Sequence, residues 1–170
     1  MISVAEVDAL AAAAHAGQVD KIGVPYIEHV RAVADGLVPF GDELVMAGLL
    51  HDVLEDTDVT GDDLLERGVP ARVVVIVRAV TNQADVTYDE TIRRITGDPQ
   101  ATLVKIADNA HNSHPARCVR LPADEKERLA AKYWAARADL WPAAGRADIE
   151  AVVSIVNPAL LAELDLPAQR

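Results

Sequence analysis

The chemistry of this chain concentrates at His51-Asp52, in the run Met46-Ala-Gly-Leu-Leu-His-Asp-Val-Leu-Glu-Asp-Thr57. A histidine and an aspartate close an apolar helical segment, and the carboxylates Glu55 and Asp56 follow one turn later. Titratable groups stand where a structural helix would carry leucine or alanine, which is the composition of a metal site with its own acid and base. Two further places supply ligands: His29 in Pro25-Tyr-Ile-Glu-His29, and Asp108 in Leu103-Val-Lys-Ile-Ala-Asp-Asn-Ala-His-Asn112. Neighbours on a helix diverge by about 100°, so His51 and Asp52 can share one ion only at the helix shoulder, with His29 and Asp108 closing the site from other helices. Asp52 and Asp108 both follow apolar segments. Burying a carboxylate costs several kcal/mol unless a cation or hydrogen bonds compensate it, and one shared ion is the economical solution.

Two imidazoles and two carboxylates form a mixed nitrogen and oxygen set with room for water in an octahedral shell. That set suits Mn²⁺, the first choice, or Fe²⁺, and permits Zn²⁺ or Ni²⁺. Glu55 lies four residues after His51, and Asp56 four after Asp52, so each shares a helical stripe with a ligand. Groups so placed can orient water at a metal, accept its proton, or protonate a leaving oxygen, and the division of acid and base between them stays open. The alternative for the pair is a solvated helix end before the Thr57-Asp58 turn. Asn112, four residues after Asp108, could meet a sugar hydroxyl or cap its helix. His111 and His114 are candidate donors to phosphate, and Lys21 could neutralise a substrate phosphate or simply face solvent.

These groups need helices to position them. Alanine, valine and leucine dominate the 170 residues, and aromatics reach only 4%, a profile of a compact all-α bundle with the metal site between helices. Apolar spacing predicts helices over Val4 to Ala14, from Pro25-Tyr26, from Asp42 as a cap to about Leu54, and from a Thr60/Asp63 capping box to near Gly68. The run Arg72 to Val80 has strand propensity, yet Pro70 at its start and the lack of a partner strand make it a buried helix. Further helices are predicted over Tyr88 to Thr96, Pro99 to Asn112 and Pro122 to Leu140, with one or two short ones after Asp148 and Asn157-Pro158 as cap and first turn. Residues 1–141 read as one domain, and 142–170 as a helical extension packed on it, joined loosely through the Ala-, Gly- and Pro-rich stretch from Pro142 to Ala147.

A net charge of −11 leaves no broad basic face for duplex nucleic acid or an anionic membrane. The single cysteine, Cys118, rules out an internal disulfide and a cysteine-based zinc cage. The N-terminus lacks a signal-peptide pattern and no apolar run approaches the roughly 18 residues of a membrane span, so a cytoplasmic protein is expected. The apolar tail from Ile149 to Leu166 could pack in cis or between subunits, which leaves oligomeric state unset.

The order His29, His51-Asp52, Asp108 resembles the ligand order of the HD superfamily of metal-dependent phosphohydrolases. The runs His15-Ala-Gly-Gln-Val-Asp-Lys-Ile-Gly-Val-Pro-Tyr-Ile-Glu-His29, Ala47 to Thr57 and Val104 to Asn112 look like the hydrolase domain of RelA/SpoT proteins and their small stand-alone relatives, across roughly residues 4 to 140. The resemblance implies an all-α bundle holding Mn²⁺ through His29, His51, Asp52 and Asp108, with Glu55 and Asp56 as the catalytic pair. It implies hydrolysis of the 3′-pyrophosphate of ppGpp or pppGpp, and it places Asn112 by the ribose and Tyr133 near the pocket. The family's Arg-Lys pair is replaced by Asp20-Lys21-Ile22, and Ser113-His114-Pro115 follows Asn112. Both departures fall in the nucleotide pocket. An HD-fold hydrolase of another nucleotide ester, an adenine alarmone or a nucleoside monophosphate, is the second reading; a non-catalytic metal- or nucleotide-binding module is the third.

Overall fold

The structure is a computed structural model that describes residues 2–165; residues 166–170, the end of the expected extension and of the apolar tail, lie outside the described residues. Among the described residues the chain is all α, with no strand beyond one isolated antiparallel bridge between Val19 and Pro25. No helix there is long and apolar enough to cross a membrane. Helices α1 (Val4–Ala14), α2 (Tyr26–Asp35), α3 (Asp42–Leu50) and α4 (Val53–Asp56) make the first half of the bundle with α5 (Gly61–Glu66) and α6 (Ala71–Val80). Helices α7 (Tyr88–Ile95), α8 (Pro99–Asn112), α9 (Pro115–Cys118), α10 (Ala123–Leu140) and α11 (Arg146–Val156) complete it, and a 3₁₀ segment covers Pro158–Asp165.

The starts follow local chemistry. Thr60 and Asp63 form the expected reciprocal capping box on α5, and Ser3 with Glu6 and Thr87 with Glu90 do the same for α1 and α7. The valine-rich α6 is helical because its buried residues, Val73, Val74, Ile76, Val77 and Val80, recur at three- and four-residue spacing, while Val75 faces out. Burial along that stripe outweighs β propensity.

Helix α8 is the axis. Every residue from Ala101 to Ala110 is buried, including Lys105, Asp108 and Asn109, and α2, α3, α6, α7, α10 and α11 pack around it. A helix buried on all sides makes each of its polar residues a structural or functional commitment. The C-terminal segment is seated more firmly than its Ala-, Gly- and Pro-rich approach led us to expect. Ile149, Val152, Val153 and Val156 of α11 are buried against the core, and the Asn157 amide donates to the Ala110 carbonyl at 2.9 Å. The expected cap residue thus ties the tail to α8 instead.

The main departure falls at the most informative place. A continuous helix to about Leu54 is expected, but α3 stops at Leu50, His51 and Asp52 form a turn, and α4 starts at Val53. Asp52 sits at φ −103°, ψ −4°, the bridge region, and this bend brings together two adjacent side chains that a straight helix would splay by about 100°. Asp42, expected as the cap of α3, is its first residue and makes no side-chain cap bond.

The entry of α3 into the site depends on Gly48. A Cβ there would lie 2.9 Å from Ala34 Cα and 2.8 Å from Leu37 Cδ1, so glycine sets how closely α2 and α3 approach. Gly48→Ala should destabilise the protein by about 1–3 kcal/mol through overpacking. Urea denaturation checks this, and an unmoved midpoint would show that the two helices can separate freely.

Candidate metal centre

His29 comes from the first turns of α2, His51 and Asp52 from the bend after α3, and Asp108 from the middle of α8. His29 Nε2, His51 Nε2 and an Asp108 oxygen converge within 4.8 Å of one another, and all three residues are buried. Asp52 adjoins them: its Oδ2 lies 3.0 Å from His51 Nε2 and 3.5 Å from His29 Nε2. Asp108 Oδ1 lies 3.3 Å from His29 Nε2 and 3.7 Å from His51 Nε2.

Both imidazoles are turned by their other nitrogen. His51 Nδ1 lies 2.7 Å from the Gly48 carbonyl, an acceptor only, so Nδ1 donates to it and Nε2 is the nitrogen turned into the site. His51 Nε2 is itself buried with no hydrogen-bond partner. His29 Nδ1 lies 2.7 Å from His111 Nδ1. Burial, then the neighbouring His29 and Arg117, pushes the pKa of His111 down to about 3, so His111 is neutral, and this contact at Nδ1 leaves His29 Nε2 as the nitrogen that faces the site. The histidine we considered as a phosphate donor is an orienting residue. His114 caps α9 by accepting from the Ala116 N–H.

The field at this point calls for positive charge. Burial would lower the His51 pKa, yet Asp52 and Asp108 carry it up to about 10. Against their own burial, Asp52 and Asp108 stay well below the usual carboxylate range, through His51 and Lys105 respectively. Two imidazole nitrogens turned inward, one of them the orphaned His51 Nε2, and two buried carboxylates fit a divalent cation, which would take the place of the His51 proton.

Around this set stands a shell of three residues, of which the sequence singles out Asn112 but not Tyr26 or Lys105. Tyr26 Oη donates to Asp52 Oδ2 at 2.7 Å. Lys105 Nζ donates to Asp108 Oδ2 at 2.7 Å, and Asn112 Nδ2 to Asp108 Oδ1 at 2.5 Å, so both oxygens of Asp108 are held. A lysine three residues before a candidate ligand on an apolar helix was the available signal. Lys105→Met should lower the stability of the metal-free protein by about 3–5 kcal/mol, because a buried carboxylate loses its partner. Mn²⁺ should then raise its Tm more than it raises the wild type's; equal metal-free Tm values would contradict this.

Glu55 and Asp56 stand at the rim on α4. Asn82 fixes Glu55, its backbone N–H donating to Oε2 at 3.0 Å and its amide to Oε1 at 2.9 Å. Partial burial, then the charges of Asp52 and Glu55, raises the pKa of Asp56. Gln18 donates to the Asp56 carbonyl at 2.8 Å and accepts at 2.8 Å from buried His15, pinning α4 to the loop after α1.

Above the centre opens a cavity of about 390 Å³, whose lining includes Lys21, Glu55, Asp56, Asn112 and Tyr133 with His29, Asp52 and Asp108. Lys21 is an exposed rim residue paired with Glu125 at 2.5 Å. Asp20, which stands where the resemblance calls for arginine, has its side chain covered; it accepts from the Ile22 and Val24 N–H groups and pairs with Arg117 at 2.8 Å. Arg117, from α9, thereby places a guanidinium in the cavity lining, paired with Asp20.

A family model described as HD domain matches residues 8–141. The chain belongs to the HD domain family. This HD domain is 36% identical over 124 residues to a GTP pyrophosphokinase of Streptomyces coelicolor, covering 66% of this chain and 14% of the relative. It is 36% identical over 130 residues to a guanosine-3′,5′-bis(diphosphate) 3′-pyrophosphohydrolase of Haemophilus influenzae, covering 69% and 19%. It is 34% identical over 131 residues to the bifunctional (p)ppGpp synthase/hydrolase SpoT of Escherichia coli, covering 69% and 18%. The chain therefore matches less than a fifth of the length of these relatives. Among solved structures, one described as a metazoan ortholog of SpoT that hydrolyzes ppGpp superposes with a TM-score of 0.71 at 24% identity, over 92% of this chain and 94% of that one. That likeness shows the fold.

Proposed function

We propose that this HD domain is a divalent-metal phosphohydrolase that holds Mn²⁺ through His29, His51, Asp52 and Asp108 and removes the 3′-pyrophosphate of ppGpp or pppGpp, yielding GDP or GTP. The observation that carries the reading is the buried, unpartnered Nε2 of His51, facing two carboxylates at the floor of a cavity with basic residues in its walls. In a protein of net charge −11, five cationic side chains in this lining balance its five carboxylates, so a bound divalent cation would turn the cavity positive and favour an anionic substrate. Curated relatives are named for the same reaction.

When bound, the cation would polarise a phosphoryl oxygen and make nearby water more acidic. The chain's own residues divide the proton work. Glu55, aimed by Asn82, accepts the proton of the water that attacks the phosphorus joined to the ribose 3′ oxygen. The bond from that phosphorus to the 3′ oxygen breaks, pyrophosphate leaves, and Asp56, whose raised pKa suits a donor, protonates the departing 3′ oxygen. Tyr26 and Lys105 keep Asp52 and Asp108 from turning away. Asn112, Tyr133 and Lys21 contact the nucleotide, Asn112 through the carbonyl oxygen of an amide whose nitrogen is committed to Asp108.

A second reading keeps the chemistry and changes the ester, to an adenine alarmone or a nucleoside monophosphate. The Asp20–Arg117 pair favours it, because the wall near the loop is built differently from the family pattern. Nucleotide and phosphate release from ppGpp, pppGpp, pppApp and mononucleotides with Mn²⁺ separates the readings. The guanine alarmones should be cleaved fastest; preference for another ester would select the second reading. Silence on every ester with metal bound would leave a non-catalytic binding module.

A further inference from the structure

Five cationic side chains line the cavity: Lys21, Lys105, Arg117, Arg128 and Lys132. Four have carboxylate partners, Lys21 and Arg128 at Glu125, Lys105 at Asp108 and Arg117 at Asp20. Among the described residues Lys132 has none. This half-buried side chain on α10 places its Nζ 3.9 Å from the centroid of the Tyr88 ring and 5.7 Å from that of Tyr133. The two rings hold the ammonium at the cavity wall by its attraction to their faces without neutralising it. Burial, then the nearby Lys105, lowers the Lys132 pKa, as befits a cation short of compensating charge.

Lys132 is therefore built for an anion that the protein does not itself supply. Lys105 and Lys132 both approach the Tyr88 ring, at 5.8 and 3.9 Å from its centroid, and since Lys105 is already occupied by Asp108, Lys132 is the one of the two left to meet an anion beyond the groups at the metal centre. We propose that Lys132 receives a second phosphate of the substrate, the one that is not cleaved, and makes the site selective for nucleotides phosphorylated at both the 3′ and 5′ positions. This assignment rests on the metal-centred reading above for the first phosphate. A charge-assisted hydrogen bond to phosphate in a partly desolvated wall corresponds to about a ten- to hundredfold gain in binding.

Lys132→Met keeps the length and apolar stem of the side chain and removes its charge. Binding of guanosine 3′,5′-bisphosphate and of guanosine 3′-monophosphate to Mn²⁺-loaded protein, measured by calorimetry, tests the proposal without any turnover. The wild type should prefer the bisphosphate by about tenfold or more. K132M should lose that preference by weakening the bisphosphate alone, with Mn²⁺ affinity and Tm unchanged, and K132R should restore it. A wild type that does not discriminate, or a K132M variant that weakens both ligands equally or neither, would overturn the proposal. Selectivity that holds in a protein unable to cleave ppGpp would instead count against the proposed reaction and leave the Lys132 site standing.

Discussion

Glu55→Gln should leave the metal bound and slow turnover by about 10²–10⁴-fold, the range over which positioned proton transfer contributes. Glutamine is nearly isosteric and its carbonyl can still accept from the Asn82 backbone N–H, so the side chain should keep its place at the rim of the cavity. It cannot take a proton. Because Glu55 makes none of the contacts within the His29, His51, Asp52 and Asp108 cluster, metal stoichiometry and Tm should match the wild type. Single-turnover rates with metal content measured on the same sample give the comparison. A wild-type rate in Glu55→Gln would remove the residue from the mechanism and pass the base role to another group.

Asp108→Ala should abolish metal binding and activity together and also weaken the fold. The substitution removes a proposed ligand oxygen, but its larger structural effect falls on Lys105, whose ammonium would be left buried without its 2.7 Å partner. Breaking such a buried pair costs about 3–5 kcal/mol, a fall in Tm on the order of 10 °C for a chain of this size. The double variant Asp108→Ala, Lys105→Met should regain much of that stability, since no unpaired charge remains, and should still bind no metal. Calorimetry and metal analysis on the three proteins complete the cycle. Full metal occupancy in Asp108→Ala would show that α8 contributes no ligand.

Much of this arrangement was legible along the chain because its causes are local. Proline at a first turn, the Thr60/Asp63 box and the three- and four-residue recurrence of apolar positions place most helices, including the valine-rich α6. What was hidden depends on contacts distant in sequence. The bend at His51-Asp52 has no local breaker before it, and it forms where Gly48 lets α3 close on α2. His111 became an orienting residue only through its contact with His29, 82 positions away, and Asn82 reaches Glu55 across 27. The pairing of Lys105 with Asp108 depends on α8 being buried on every side, which the packing of six other helices decides. Asp20 stands in the sequence as an acid in place of the resembled arginine, and its pairing with Arg117, 97 positions away, is visible only in the fold.

The most direct test of the proposed reaction is product analysis after incubating ppGpp with the metal-loaded protein. GDP and pyrophosphate should appear in equal amounts, stop appearing when a chelator strips the metal, and return on addition of Mn²⁺. Intact ppGpp in the presence of stoichiometrically bound metal, or orthophosphate in place of pyrophosphate, would contradict it.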